Sequence, residues 1–251
     1  MDDPEGIMAQ PNVVRAPSQD AGRARAAEHE ALMGVLAHEL RTPITTIYAG
    51  SAVLARDEDL LPAMRRELAS DVYHEAARLF RAVEDLLVLT RLEHDAVRVT
   101  REPISLIRAV DAAMQIEGPR WPSMRMLARL DGSPPPAAAD AVALAHALRN
   151  LIANIAWRAG GARDLEIVVG SDGARVDCRM LDRTGTLAAE DQRSLFELPD
   201  GEPVPGSLSP GIAMYVAGRL IGAMRGETWV TQRDGGDVEI GFSLPCYESV
   251  A

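Results

Sequence analysis

Two stretches of this chain repeat apolar residues at helical spacing for longer than a helix of an ordinary globular domain runs. Met33, Leu36, Leu40, Ile44, Ile47 and Leu54 stand three, four and seven residues apart, which places their side chains on one face of an α-helix. Leu68, Val72, Leu79, Val83, Leu86 and Leu89 form a second such stripe. Between them DEDLLP interrupts the pattern, and Pro62 suits the first turn of a new helix, where its missing N–H forfeits no bond. The pattern predicts an all-α helical hairpin over 24–100. Each helix has one apolar stripe and little within the hairpin to bury it against. Two copies would complete a four-helix bundle, so a homodimer is the expected state. The competing expectation is a hairpin packed on the rest of its own chain.

Residues 1–23 carry Pro4, Gly6, Pro11, Pro17 and Gly22 among polar residues without any period, and read as a flexible arm too short to be a sensor. After Arg101 the texture changes. REPISLIRAV and RMLARL lead through a Pro/Ala segment into AAADAVALAHALRNLIANIAWRAGG, which reads as a helix closed by Gly160 and Gly161. LEIVVG and ARVDCRML, separated by SDG, have the form of a hairpin, and a short helix is expected around EDQRSLFE. A helix in PGIAMYVAGRLIGAMRG and two strands joined by DGG, ETWVTQR and DVEIGFSLP, complete the chain. Helices among largely antiparallel strands predict an α+β sandwich over 101–251.

Net charge narrows the partners. With 26 basic and 37 acidic residues the chain carries −11, which repels phosphate backbones and makes nucleic acid an unexpected partner. Every basic side chain is Arg, so no lysine serves Schiff-base or P-loop chemistry. Cys178 and Cys246 are too few for a disulfide framework or a metal cluster and suit a reducing compartment. MDDPEG carries no apolar leader, and no stretch approaches the roughly 18 apolar residues that cross a bilayer. A cytoplasmic protein without membrane insertion is expected.

Chemistry concentrates in His38-Glu39-Leu40-Arg41-Thr42-Pro43. His38 stands two residues from both Leu36 and Leu40, about 200° around the helix from the apolar stripe, so its imidazole is expected to face solvent as a nucleophile. A neighbouring carboxylate, Glu39, can fix its tautomer and leave the other ring nitrogen's lone pair free. Thr42, one turn on, can position a water, and Pro43 should bend the helix just after the histidine. The other histidines, His29, His74, His94 and His146, have no partner at metal-ligand spacing.

The hexapeptide closely resembles the phosphoacceptor box of bacterial two-component sensor histidine kinases, and the order of elements over about 24–248 resembles that family's plan of a dimeric hairpin followed by an ATP-binding domain. The resemblance implies that His38 is phosphorylated, that Glu39 is its acid/base partner and that Thr42 assists a phosphatase reaction. Arg149-Asn150-Leu151-Ile152-Ala153-Asn154 is similar to the family's N box, which makes Asn154 the ligand that holds Mg²⁺ on ATP and gives Asn150 an assisting place one turn earlier. After it come Ile155, Ala156 and Trp157, where the family has a basic residue; Arg158 stands one place late for a phosphate and Trp157 is available to the core.

Asp182, at the head of Asp182-Arg183-Thr184-Gly185-Thr186-Leu187, resembles the aspartate that accepts the adenine amino group, with threonines in place of both expected glycines. Gly211 is the one glycine kept of the second glycine box, behind a short lid stiffened by Pro199, Pro203 and Pro205. The implied function is an ATP-dependent protein-histidine kinase. It would autophosphorylate His38 and pass the phosphoryl group to an aspartate of a response-regulator receiver domain, with input from an upstream sensor protein or a ligand. The alternative is a histidine phosphotransferase or response-regulator phosphatase whose ATP-binding domain no longer works, and a third reading is a dimeric adaptor without chemistry.

Overall fold

The computed structural model describes residues 19–56, 60–93, 99–159, 164–183, 192, 194–198, 211–233 and 237–248. Outside these lie most of the proposed arm, the first residues of DEDLLP, Gly160 and Gly161, Thr184 and Thr186, part of the EDQRSLFE segment, most of the lid and the DGG turn.

The hairpin consists of α1 (Gln19–Arg56) and α2 (Pro62–Glu93). Helix α1 runs unbroken through Pro43, whose missing N–H deprives the Glu39 carbonyl of its helical donor. The two helices approach closely at Gly50, where a Cβ would meet Val72 Cγ2 at 2.6 Å. The apolar stripe divides into two parts. At the end near the second domain, Leu32, Leu36 and Leu89 are buried in the same core cluster as the residues that follow. Farther along, Ile44, Tyr48, Phe80 and Tyr73 are exposed. Part of the hairpin is therefore covered by its own chain, and the rest shows apolar side chains that no other described residue covers.

After the hairpin come β1 (Glu102–Ile104), α3 (Leu106–Glu117), β2 (Met126–Leu130), β3 (Ala137–Ala139) and α4 (Ala141–Arg158). They are followed by β4 (Leu165–Ser171), β5 (Arg175–Asp182), α5 (Gly211–Ala223), β6 (Glu227–Gln232) and β7 (Val238–Pro245). Strands β1 and β3 pair antiparallel, while the main sheet has the order β2-β4-β5-β7-β6. All its pairings are antiparallel except β2 with β4, so the sheet is mixed. Gly173, at φ +93°, makes the turn between β4 and β5 that the SDG signal predicted.

The core lies between this sheet and the helices. Ile167, Val169, Cys178, Met180, Ile240 and Phe242 from the strands meet Leu144, Leu148, Ile152 and Ile155 of α4 and Met214, Ala217 and Ile221 of α5. Cys178 is fully buried, and burial pushes its thiol pKa up, so it stays protonated and packs as a small apolar group.

Candidate functional site at the seam of hairpin and sheet domain

Helix α4 builds the site because its two faces do different work. Its N-terminus is fixed by Asp140, whose carboxylate accepts hydrogen bonds from the N–H groups of Val142 at 3.0 Å and Ala143 at 2.9 Å. The same carboxylate accepts from the Thr100 N–H at 3.1 Å and hydroxyl at 2.8 Å, tying the cap to the segment that leaves the hairpin. Burial would raise the Asp140 pKa, but the bonds from Ala143, Thr100 and Val142 together hold it below the ordinary carboxylate value.

One face of α4 is the core stripe of Leu144, Leu148, Leu151 and Ile155, all buried. The next position in that alternation of four and three residues is Arg158. Strand β5 shows a matching pattern with period two, in which Val176, Cys178, Met180 and Asp182 are buried in turn. The two patterns meet where the apolar residues end. Arg158 Nη2 donates to Asp182 Oδ2 at 2.5 Å, with both side chains only 1% exposed. Asp182, expected to accept an adenine amino group, thus accepts from an arginine of its own domain.

The neighbouring face of α4 carries His146, Asn150, Asn154 and Trp157, again four, four and three residues apart, and it faces α2. Asp85 of α2, 2% exposed, lies 2.6 Å from His146 Nε2 and accepts from Asn150 Nδ2 at 2.7 Å. The Asn150 amide also donates to the Ala213 carbonyl of α5 at 3.2 Å, which fixes this side chain between three helices. Beside this cluster Glu39, Arg78, Arg81, Asp85, Asn154 and Trp157 line a cavity. Glu39 is held from α2 by Arg78 Nη2 at 3.3 Å, and the Arg78 guanidinium stands 5.6 Å from the centre of the Trp157 ring. Burial pushes the Arg81 guanidinium below its ordinary pKa, against the attraction of Glu117, but arginine remains a cation at any working pH.

His38 is half-buried rather than fully solvated. Thr42 is exposed, and its hydroxyl donates to the His38 carbonyl at 3.5 Å. Gly211 is the first residue of α5. The structure therefore brings Glu39, beside the histidine, to the same cavity as Asn154, and holds Asn150 close by. Asp182 sits on the sheet-facing side of α4 with Arg158, outside that cavity.

The domain family described as His Kinase A (phospho-acceptor) matches residues 28–95, the span of the hairpin with His38 in it. Residues 28–95 are a histidine-kinase phosphoacceptor domain. The likeness extends beyond the hairpin. The chain is 28% identical over 208 residues to the probable sensor histidine kinase TcrY of Mycobacterium tuberculosis, covering 79% of this chain and 42% of that one. To the sensor histidine kinase GlrK of Escherichia coli it is 25% identical over 219 residues, or 84% of this chain and 45% of GlrK. It thus spans less than half the length of the curated relatives it matches. Among solved structures, the histidine kinase AdeS of Acinetobacter baumannii shares the fold with a TM-score of 0.63 at 23% identity, over 84% of this chain and 98% of that one. The similarity to sensor histidine kinases thus takes in both the hairpin and the domain after it.

The partners of three residues at the seam, Arg78, Asp85 and His146, and of Arg158 at the sheet escape a reading of the sequence. His146 reads as a helix-interior histidine with no partner because its partner, Asp85, lies 61 residues away on another element. Arg158 was legible in principle, since it continues the buried alternation of α4. Trp157, available to the core by its type, is 37% exposed at the seam while the arginine after it is buried.

Proposed function

We propose that the chain is the transmitter part of a two-component histidine kinase, in which His38 takes a phosphoryl group from ATP and yields it to a response-regulator aspartate. The observation that carries this reading is the shared cavity: Glu39, next to His38 on α1, and Asn154, on α4, line the same space. A phosphate donor held at Asn154 would lie beside the helix that carries the acceptor.

The residues present fit the phosphate half of ATP with Mg²⁺: the buried Asn154 side chain offers an amide oxygen, a ligand type suited to that ion, and Arg81 supplies positive charge along the same wall. Bound there, ATP with Mg²⁺ would supply the phosphoryl group. A ring nitrogen of His38 offers its lone pair and forms the N–P bond as the P–O bond to the leaving diphosphate breaks. Glu39, held by Arg78, is the acid/base group for the imidazole proton. Thr42 is exposed on the same helix and is available to orient water in the reverse, phosphate-removing reaction. Asn150 and Gly211 support the site by position, through the α2–α4–α5 contact and the start of α5.

The apolar surface of Ile44, Tyr48, Phe80 and Tyr73 suits a second copy of the hairpin, and the active form is a homodimer. No helix among the described residues is long and apolar enough to cross a membrane. The receiver domain meets His38 on the hairpin, and the supply of ATP and of receiver domains places the reaction in the cytoplasm. The structure of the histidine kinase ThkA with the response regulator protein TrrA matches this chain with a TM-score of 0.64 at 17% identity, over 91% of this chain and 65% of that one.

Incubation with γ-labelled ATP and Mg²⁺ tests the reading. Acid-labile, base-stable label is expected on the wild-type chain and none on His38→Gln or Asn154→Ala, with Glu39→Gln slowed by about 10² or more. Absence of label on the wild-type chain would refute the kinase activity.

A further inference from the structure

Arg78 of α2 joins three helices. Its Nη2 donates to Glu39 Oε2 of α1 at 3.3 Å, and its guanidinium carbon stands 5.6 Å from the centre of the Trp157 ring of α4. Among the described residues these are its only polar and ring partners. Trp157 belongs to the sheet domain and the other two to the hairpin, and all three line the cavity that Asn154 also lines. The tryptophan is 37% exposed while Leu151 and Ile155 of the same helix are buried, so it is not a core residue. An ion pair partly open to water leaves a long arginine free to take many rotamers. A ring face takes the guanidinium by its plane and leaves the N–H groups at its edge to donate, so the two contacts restrain Arg78 without competing for it.

We propose that Trp157 is a positioning residue for Glu39: its ring restrains the Arg78 guanidinium, and the restrained guanidinium sets the direction of the carboxylate beside His38. The inference rests on the reading of Glu39 as the acid/base group of phosphoryl transfer. Glu39 and Arg78 are parts of the hairpin, whereas Trp157 is part of the domain that would carry ATP. The carboxylate is therefore fully aligned only when that domain is seated on the hairpin, which ties proton transfer to the arrangement that brings donor and acceptor together. Removing the ring leaves Arg78 with Glu39 alone, in a partly solvated pair. The loss of alignment slows a step whose rate depends on geometry. ATP affinity is not lost with it, because the ring holds a side chain of the hairpin rather than the nucleotide.

Initial rates of acid-labile labelling of the full chain with γ-labelled ATP and Mg²⁺, measured across ATP concentrations, test this. Trp157→Leu is expected to lower the rate at saturating ATP by about threefold to fivefold, the size of a partly exposed cation–π contact, with the half-saturating ATP concentration unchanged within about twofold. Trp157→Phe, which keeps a ring face, should restore most of the rate. Arg78→Met should slow labelling at least as much, and adding Trp157→Leu to it should slow it no further. Equal slowing by Trp157→Leu with and without Arg78 overturns the proposal, as does a Trp157→Leu rate equal to wild type. A rise of more than about twofold in half-saturating ATP overturns it too, because the ring would then be acting on the nucleotide. In each of these cases a labelled wild-type chain leaves the kinase reading standing. If Trp157→Leu does not fold, Arg78→Met decides by itself, since a rate equal to wild type leaves Trp157 nothing to act through. Absence of label on the wild-type chain refutes the kinase reading and the proposal with it.

Discussion

Near its C-terminus, the two faces of α4 treat charge in opposite ways. On the face toward the hairpin, the Glu39 carboxylate meets an arginine that is 31% exposed, across 3.3 Å, on the wall of a cavity that Asn154 and Trp157 also line. On the face toward the sheet, Asp182 and Arg158 meet at 2.5 Å with both side chains 1% exposed. Groups that act on a passing ligand are held loosely enough to change partners. Groups sealed in a core are held by each other and kept from solvent. The hairpin-facing side of α4 is built in the first way and the sheet-facing side in the second.

The largest effect expected from testing this contrast is at the sealed pair. Asp182→Leu leaves the Arg158 guanidinium buried without its carboxylate and should cost about 3–5 kcal/mol of unfolding free energy, most of it restored by adding Arg158→Met. Equal stability of the single and double variants in urea unfolding would show that the pair is not what the core depends on. Next comes the seam cluster. Asn150→Ala removes the amide that Asp85 and the Ala213 carbonyl share, and should cost about 1–3 kcal/mol in the same measurement.

The cap is smaller still. Asp140→Ala should cost about 1 kcal/mol at pH 7. Because its pKa is lowered in the folded chain, the stability it contributes is complete above the ordinary carboxylate range and is lost as pH falls through the folded value. The gap between wild type and variant should therefore close in acid, and a gap that widens there would contradict the capping role. The smallest effect belongs to the loosely held pair: Arg78→Ala should change stability by less than about 1 kcal/mol, since partly exposed ion pairs contribute little.

The hairpin and its histidine were legible because both signals are local: an unbroken hexapeptide and stripes repeating within one helix. The register of burial was less so. Met33 and Ile44 belong to the stripe read from sequence yet are 49% and 51% exposed, while Leu32 and Val35 are buried. At the near end the buried face runs through Leu32, Val35 and Leu36, so Met33 falls beside it, while Ile44 lies on the far part of α1, outside the core cluster, and no single helical period encodes both. In the second domain the N box and Asp182 were found by likeness, but what holds them was not. Asp85 reaches Asn150 across 65 residues and Arg158 reaches Asp182 across 24, and pairings between elements leave no mark in local spacing. Only the persistence of the buried alternation to Arg158 and Asp182, one on α4 and one on β5, announced that two charges would be sealed together.

The central claim is that His38 carries the phosphoryl group, and locating the modification on the intact chain tests it most directly. After incubation with ATP and Mg²⁺ at neutral pH, mass spectrometry of peptides kept out of acid should find one phosphoryl group on the histidine of HELRTP and none elsewhere. A phosphoryl group on any other residue, or an unmodified His38 in a chain that has consumed ATP, would contradict the account.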